Sequence, residues 1–165
     1  MSHPAANPGI QQVLQSVRTT LGQMPVGVRV YSDVPDQINE YPAIVVWAGD
    51  RMARLGSSSG ARGKPMLWLA LDVMIDLHVA RKDLPHDLDT AYRVADLMPN
   101  TLLTKFSRDR FDGTVVNLTD PRVIGHTAAN PYEARFTRFE WGNQITIGYQ
   151  SKLSVAIEEE LYLYD

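Results

Sequence analysis

Two long stretches in which apolar residues alternate with other residues constrain this chain more than any other feature. The first has an apolar residue at every odd position from Leu67 to Val79, and the second follows nearly the same pattern from Ile145 to Ile157. Strict alternation predicts β-strands with one buried face and one wetter face. Strands in globular proteins usually hold about 3–10 residues, and both stretches are longer. We therefore expect a sheet that outgrows its own core and is covered by another copy of the chain.

The other patterns predict helices and shorter strands around these two long strands. Apolar residues at helical spacing predict a helix over 9–22 and a second over 83–106, which Pro99 should interrupt after about Leu97. Gly142-Asn143 predicts a tight turn before the last strand. Shorter strands are predicted over 28–31, 42–48, 114–118, 122–126 and 134–141. The expected fold is α+β, with a mainly antiparallel sheet, a long hairpin and two principal helices packed on one face.

Length and composition exclude several classes of protein. The chain has 165 residues, which suits a single domain over 1–165, and its formal net charge of −3 argues against non-specific nucleic-acid binding. It has no cysteine, which removes disulfides and thiol catalysis. No stretch approaches the roughly 20 apolar residues that span a bilayer, and the first ten residues do not resemble a signal peptide. We expect a soluble protein made inside a cell, without contact with membranes.

Charged residues of opposite sign are concentrated in two segments. The segment 51–65 is rich in glycine and serine and has four cations but no acidic residue, so it is expected to be a flexible basic hairpin loop. The segment 158–165 is expected to be an acidic tail. Opposite charges orient association between protein surfaces. The predicted interface residues, towards a partner or another copy, are Arg51, Arg54, Arg62, Lys64, Glu158, Glu159 and Glu160.

Two segments of the chain match part of a known catalytic or phosphate-binding motif, but neither has the full pattern. Gly56 to Gly60 has the spacing of a serine-hydrolase nucleophile elbow, but that motif needs a following helix, and a strand is predicted there. Gly63-Lys64 is followed by Pro65, where a phosphate-binding loop needs serine or threonine. We therefore expect no enzymatic activity and no catalytic or cofactor-binding residues.

Asp72, Asp76 and His78 share one face of the first long strand and could in principle ligate a metal ion. Asp72 and Asp76 are separated by about 13 Å along a strand, which is too far to share one ion. We expect these side chains to lie on a solvated face or in a subunit interface, and we expect no metal site.

Three segments resemble the tail terminator (tail-completion) proteins of long-tailed bacteriophages. They are 41–46 (YPAIVV), 76–81 (DLHVAR) and 145–155 (ITIGYQSKLSV). These segments are packing patterns, and other neck and minor tail proteins share them.

The resemblance implies a structural virion protein without enzymatic activity or cofactor. It implies a homo-hexameric ring that caps the head-proximal end of the tail tube, ends tube polymerisation and joins the tail to the head connector. The implied partners are other copies of the chain, the tail tube protein and the connector or stopper protein, with genomic DNA passing through the lumen. The implied location is the neck of the virion, after assembly in the host cytoplasm. Two alternatives remain: another neck or minor tail protein, and a nucleic-acid-binding module that uses the basic loop 51–64.

Overall fold

The structure, a computed structural model, describes residues 10–56, 66–81, 88–108, 116–118 and 132–160. Within these ranges two helices and six strands follow one another along the chain. They are α1 (Ile10–Gly22), β1 (Arg29–Val30), β2 (Ala43–Gly56), β3 (Met66–Arg81), α2 (Leu88–Arg108), β4 (Val116–Leu118), β5 (Tyr132–Trp141) and β6 (Gln144–Glu160). The strand predicted over 122–126 lies outside the described residues.

The six strands form one sheet with five positions, in the order β1, β2, β3, β6 and then β5 together with β4. β4 and β5 share the outer edge of β6, where β5 pairs with residues 144–153 and β4 with residues 155–157. β1 and β2 are parallel, and every other pair is antiparallel. The predicted α+β fold with a mostly antiparallel sheet is confirmed.

β3 and β6 are much longer than ordinary strands, as the alternating pattern predicted, and β2 is also long although only a short strand over 42–48 was predicted there. β2, β3 and β6 contain 14, 16 and 17 residues, and at about 3.3 Å per residue β6 spans roughly 55 Å. Gly56 of β2 pairs with Met66 of β3, which in turn pairs with Glu160 of β6. The predicted long hairpin is therefore formed by β2 and β3, and the three strands extend together to one end of the sheet.

The expected bounds of the basic loop and the acidic tail were wrong at this end. Residues 51–56, expected in the loop, belong to β2 because their backbone pairs with residues 66–71 of β3. Glu158, Glu159 and Glu160, expected in the tail, belong to β6 and pair with residues 66–68. Backbone pairing with the regular strand β3 thus overrides the loop-like composition of 51–56. Residues 57–65 and 161–165 lie outside the described ranges.

The helices pack on one face of the sheet and enclose the main core. Odd-numbered residues of β3 from Leu71 to Val79 are all buried there, together with Leu153 and Val155 of β6. The helices contribute the buried residues Val13, Leu14, Val17, Leu21, Ala91, Val94, Met98 and Leu102. The predicted inward face of the first long strand and the packing of both helices on it are confirmed.

α2 runs through Pro99 without the predicted interruption, from Leu88 to Arg108. A proline inside a helix costs about 3 kcal/mol, because it lacks an N–H group and its ring crowds the preceding turn. Val94, Met98 and Leu102 are at most 1% exposed, and burying such side chains contributes roughly 1.5–3 kcal/mol each. Packing on both sides of the proline outweighs its cost. The predicted start of this helix at Asp83 lies outside the described residues.

The second face of the sheet is covered in part, although the alternation predicted a wetter face. The segment 31–42 has no regular secondary structure and places Ile38 against this face, where Ile38 is fully buried with Ala43 and Val45. The Ile38 N–H donates a hydrogen bond of 3.0 Å to Gln144 Oε1 at the start of β6. This segment is an irregular cover whose position the strand pattern could not reveal.

Gly148 of β6 is required by a close approach of two backbones. It pairs with His78 next to a bulge in β3, and a Cβ atom at this position would overlap the carbonyl oxygen of Leu77. We predict that Gly148→Ala lowers the free energy of unfolding by about 2 kcal/mol or more, because a rigid backbone cannot yield to the methyl group. Urea unfolding followed by circular dichroism measures this change.

Gly27→Ala is the matched control, because nothing lies within 4 Å of a Cβ atom built on Gly27. We expect the free energy of unfolding of this variant to stay the same or to rise by less than about 1 kcal/mol. Equal unfolding midpoints for the two variants would contradict the assigned register of β3 and β6.

Candidate functional site

The four basic residues predicted at an interface are only partly within the described structure. Arg51 lies in β2 and its side chain is exposed, and it follows directly after a β-bulge. Arg54 occupies a later position of β2, in register with Trp68 of β3. Arg62 and Lys64 lie outside the described residues. The structure therefore places two of the four basic residues on an edge region of the sheet rather than in a loop.

The acidic residues lie at the same end of the sheet as Arg54. Glu158, Glu159 and Glu160 of β6 are in register with Trp68, Leu67 and Met66 of β3. Arg54 and Glu158 thus both pair with Trp68, on the two strands that flank β3, so their backbones are separated by roughly 10 Å. The sequence suggested a contact between the basic and acidic segments only across two copies. In the structure, Arg54 and Glu158 lie at the same end of the sheet within one chain.

A bulge at Gly49-Asp50 sets the position of Arg51. Ala48 pairs with Val73 and Arg51 with Leu71, so β2 uses two residues where β3 uses only Asp72. A Cβ atom at Gly49 would lie 2.9 Å from Met74 Cγ and 3.1 Å from the carbonyl oxygen of Asp72. Only glycine fits here without a shift of Met74. Because of the extra residue, even-numbered positions of β2 share the helix-covered face before the bulge and odd-numbered positions share it afterwards. Arg51 is therefore in register with Leu71, which is buried on that face.

Asp76 is the centre of a polar cluster on the second face of the sheet. Its side chain is 3% exposed and accepts hydrogen bonds from Trp47 Nε1 at 2.7 Å and from Gln150 Nε2 at 3.2 Å. Burial raises the pKa of the carboxyl group, and the two hydrogen bonds lower it by less. The expectation of a solvated face is wrong for Asp76, because Trp47 and the neighbouring strands enclose it.

His78 is fully buried on the same face, two residues further along β3. Its Nδ1 atom lies 2.6 Å from Thr146 Oγ1, and its ring is tilted against Phe139 at a centroid distance of 4.5 Å. Burial lowers the pKa of His78 to about 4. The side chain is therefore neutral at pH 7, and the expected solvated position is wrong for it too.

Asp72, the third residue of the group considered for a metal ion, accepts a hydrogen bond of 3.0 Å from Ser154 Oγ. Among the described residues, no group of three or more histidine, aspartate or glutamate side chains is arranged to hold a metal ion. No helix in the described ranges is both long enough and apolar enough to cross a membrane.

A shallow polar groove of about 470 Å³ opens beside this cluster, where β6 meets β5. Lys152 and Glu133 form an ion pair at 3.8 Å, and Arg135 donates a hydrogen bond of 3.5 Å to Gln150 Oε1. Arg135, Gln150, Asp76 and Trp47 therefore form one hydrogen-bonded chain across four strands. Hydrogen bonds between polar side chains at paired positions of neighbouring strands help to hold those strands side by side.

Sequence reasoning missed most of this cluster. Trp47 lies within the predicted strand 42–48 without any sign of a polar partner, and Gln150, Thr146 and Arg135 belong to no motif. The available signal was the placement of polar residues at even positions of both long strands, which become neighbours only once the pairing register is known.

Comparison with known proteins gives no further assignment, because neither a protein-family profile nor a curated protein matches this sequence.

The buried His78 makes the stability of the protein depend on pH. The pKa of His78 is about 4 in the folded chain and about 6.5 in the unfolded chain, so the unfolded chain binds more protons between these values. Stability is therefore lost as the pH falls from 6.5 towards 4. We predict a loss of about 3 kcal/mol from this group, measured by urea unfolding at pH 7 and pH 4.

His78→Gln is the control, since glutamine can still bond to Thr146 but does not titrate in this range. Carboxyl groups contribute the same pH dependence to both proteins, so the difference between them isolates His78. An equal loss of stability in both proteins would show that His78 can be protonated in the folded chain at no cost.

Proposed function

We propose that this chain is a structural subunit of a bacteriophage virion, a tail terminator that forms a hexameric ring on the head-proximal end of the tail tube. In this role it ends tube polymerisation and joins the tail to the connector or stopper protein, and DNA passes through the lumen of the ring. The role needs neither catalysis nor a cofactor. The observation that carries the proposal is the extended ladder of β2, β3 and β6, which brings Arg54 and Glu158 to one end.

The segments that resemble tail terminators support the proposal by their position. Residues 41–46 enter β2, residues 76–81 end β3, and residues 145–155 form most of β6. All three segments therefore belong to the central strands of the sheet. The resemblance thus concerns the part of the fold that determines the architecture of the subunit.

The two edges of the sheet also suit a subunit that assembles side by side with other copies. On the outer side of β2, the carbonyl groups of Pro42 and Ile44 accept hydrogen bonds from β1 and Tyr31, and that of Val46 accepts one of 2.8 Å from Arg18 Nη2. Beyond Val46, no strand of the described ranges pairs with this side of β2. The outer side of β5 is likewise unpaired within these ranges. Unpaired strands are templates for pairing with another chain.

An assembly assay tests the proposal. The purified chain is added to polymerising tail tube protein, and electron microscopy records tube length and the tube ends while native mass spectrometry records the oligomer. We expect a ring at one end of each tube, arrested growth, and a mass six times the 18.5 kDa of the chain. A chain that stays monomeric and leaves tube growth unchanged would contradict the proposal.

Charge reversal at the convergent end gives a sharper prediction. We predict that the triple change Glu158→Lys, Glu159→Lys and Glu160→Lys reduces ring formation at least tenfold at low salt, because like charges would then meet where these residues face the basic segment of a neighbouring copy. Glu40→Lys is the control, since Glu40 is exposed in the segment 31–42. Equal ring formation by both variants would remove the acidic segment from the interface.

The same preparation distinguishes the alternative of DNA binding by the segment 51–64. That alternative predicts an affinity for DNA that falls steeply with salt and disappears when Arg51, Arg54, Arg62 and Lys64 are changed to glutamine. A salt-sensitive affinity without any effect on tube growth would favour it over the terminator role.

A further inference from the structure

A small pocket of about 170 Å³ lies on the helix side of the sheet, between α2 and the paired strands β5 and β6. It is separate from the polar groove, which opens on the other face. Three tyrosines and one carboxylate are among the residues that line it: Tyr92 and Asp96 of α2, Tyr132 of β5 and Tyr149 of β6. Pockets for small organic ligands usually exceed about 300 Å³, so this one suits the end of a single long side chain.

Two small residues line the pocket, one from the helix and one from the sheet. Ala95 of α2 and Ala134 of β5 both line it and leave the space unfilled. Tyr92, Ala95, Asp96 and Pro99 all line it and follow one another at intervals of three, one and three residues, which places them on one side of the helix. The pocket is therefore built into regular elements rather than into a loop.

The chemistry of the walls favours a cation. The faces of tyrosine rings attract ammonium and guanidinium groups, and Asp96 supplies a negative charge at the exposed surface of α2. Neighbours hold two of the rings in place: Tyr132 Oη donates a hydrogen bond of 2.8 Å to Ser151 Oγ, and Tyr149 meets Phe136 edge-on at 5.4 Å between ring centroids. Phe136 is 57% exposed and extends the aromatic surface outwards.

We infer that this pocket receives an arginine or lysine side chain from the basic segment 51–64 of a second copy of the chain. The segment has four cations and no acidic residue, which complements the tyrosines and the carboxylate of the pocket. The inference rests on the proposed function only in taking another copy as the partner.

Distance along the sheet supports a second copy rather than the same chain. Ser151 of the pocket is in register with Ile75 of β3, whereas the basic segment leaves β2 at Gly56, in register with Met66. Nine residues of β3 separate these positions, which is roughly 30 Å along the strand. Arg51 is nearer along the strand, in register with Leu71, but β2 holds it on the far side of β3 from the strand β6 that lines the pocket.

Peptide binding to the full-length chain tests the inference. The chain is labelled with ¹³C at alanine methyl groups and titrated with a synthetic peptide of residues 51–65. We expect the Ala95 and Ala134 methyl signals to shift saturably. A peptide in which citrulline replaces arginine and acetyl-lysine replaces lysine should bind at least tenfold more weakly, because it keeps the shape of the side chains but not their charge.

Variants of the pocket distinguish binding of the peptide in the pocket from non-specific charge attraction to the protein surface. Asp96→Asn and Tyr92→Leu should each weaken binding of the basic peptide by about threefold to thirtyfold. Asp89→Asn, an exposed change on the same helix outside the pocket, should leave the affinity unchanged. Equal binding of both peptides, or no effect of the pocket variants, would overturn the inference. Binding of N-acetylarginine amide without binding of the peptide would overturn the assignment to a second copy.

The outcome can be distinguished from that of the assembly assay. If the peptide binds in the pocket while the chain fails to cap tail tubes, the pocket stands and the terminator role falls. If the chain caps tubes while the peptide leaves the alanine signals unchanged, the terminator role stands and the pocket falls.

Discussion

The structure depends on the pairing of β3 with long strands on both of its sides. Residues 66–78 pair with β2 along one edge and residues 66–81 pair with β6 along the other, and both faces of the strand are covered over residues 75–79. The helices bury the odd-numbered residues from Leu71 to Val79, and the segment 31–42 helps to cover the opposite face near Asp76 and His78. Because register fixes which residues face the helices, a shift of one residue in β3 would expose the whole core.

Sequence alone could predict the parts of the fold that follow a simple period. The alternation in β3 and β6 and the apolar face of α1 correspond to the observed core, and Gly142 takes the positive φ of 59° expected of a tight hairpin turn. The second half of β2 was not predicted for two reasons. The bulge at Gly49-Asp50 reverses the alternation of the strand, and the composition of residues 51–56 resembles that of a loop. The continuity of α2 through Pro99 could not be predicted from helix propensity alone. Propensity counts the cost of the proline but not the burial of Met98 and Leu102 on either side of it.

The candidate site was predictable in composition but not in arrangement. Charge clustering identified Arg54 and Glu158, yet their approach depends on the register of three strands that are distant in sequence. The buried cluster around Asp76 was hidden for a related reason, because Trp47, Gln150 and Arg135 become its partners only after pairing. The tyrosine pocket likewise joins α2 to β5 and β6. Residues brought together by long-range pairing leave no local signal in the sequence.

The position of β6 has a consequence for how the chain folds during synthesis. β6 follows every other described strand in the sequence, yet it lies inside the sheet and pairs with β3, β4 and β5. Until the ribosome has released residues 144–160, β3 therefore has a bare edge, and Ile38 lacks its bond to Gln144. Contacts between residues some 80 positions apart close slowly because of their loop entropy. The nascent chain consequently passes through a stage in which one edge of β3 has unpaired N–H and C=O groups, and such an edge favours premature pairing between chains.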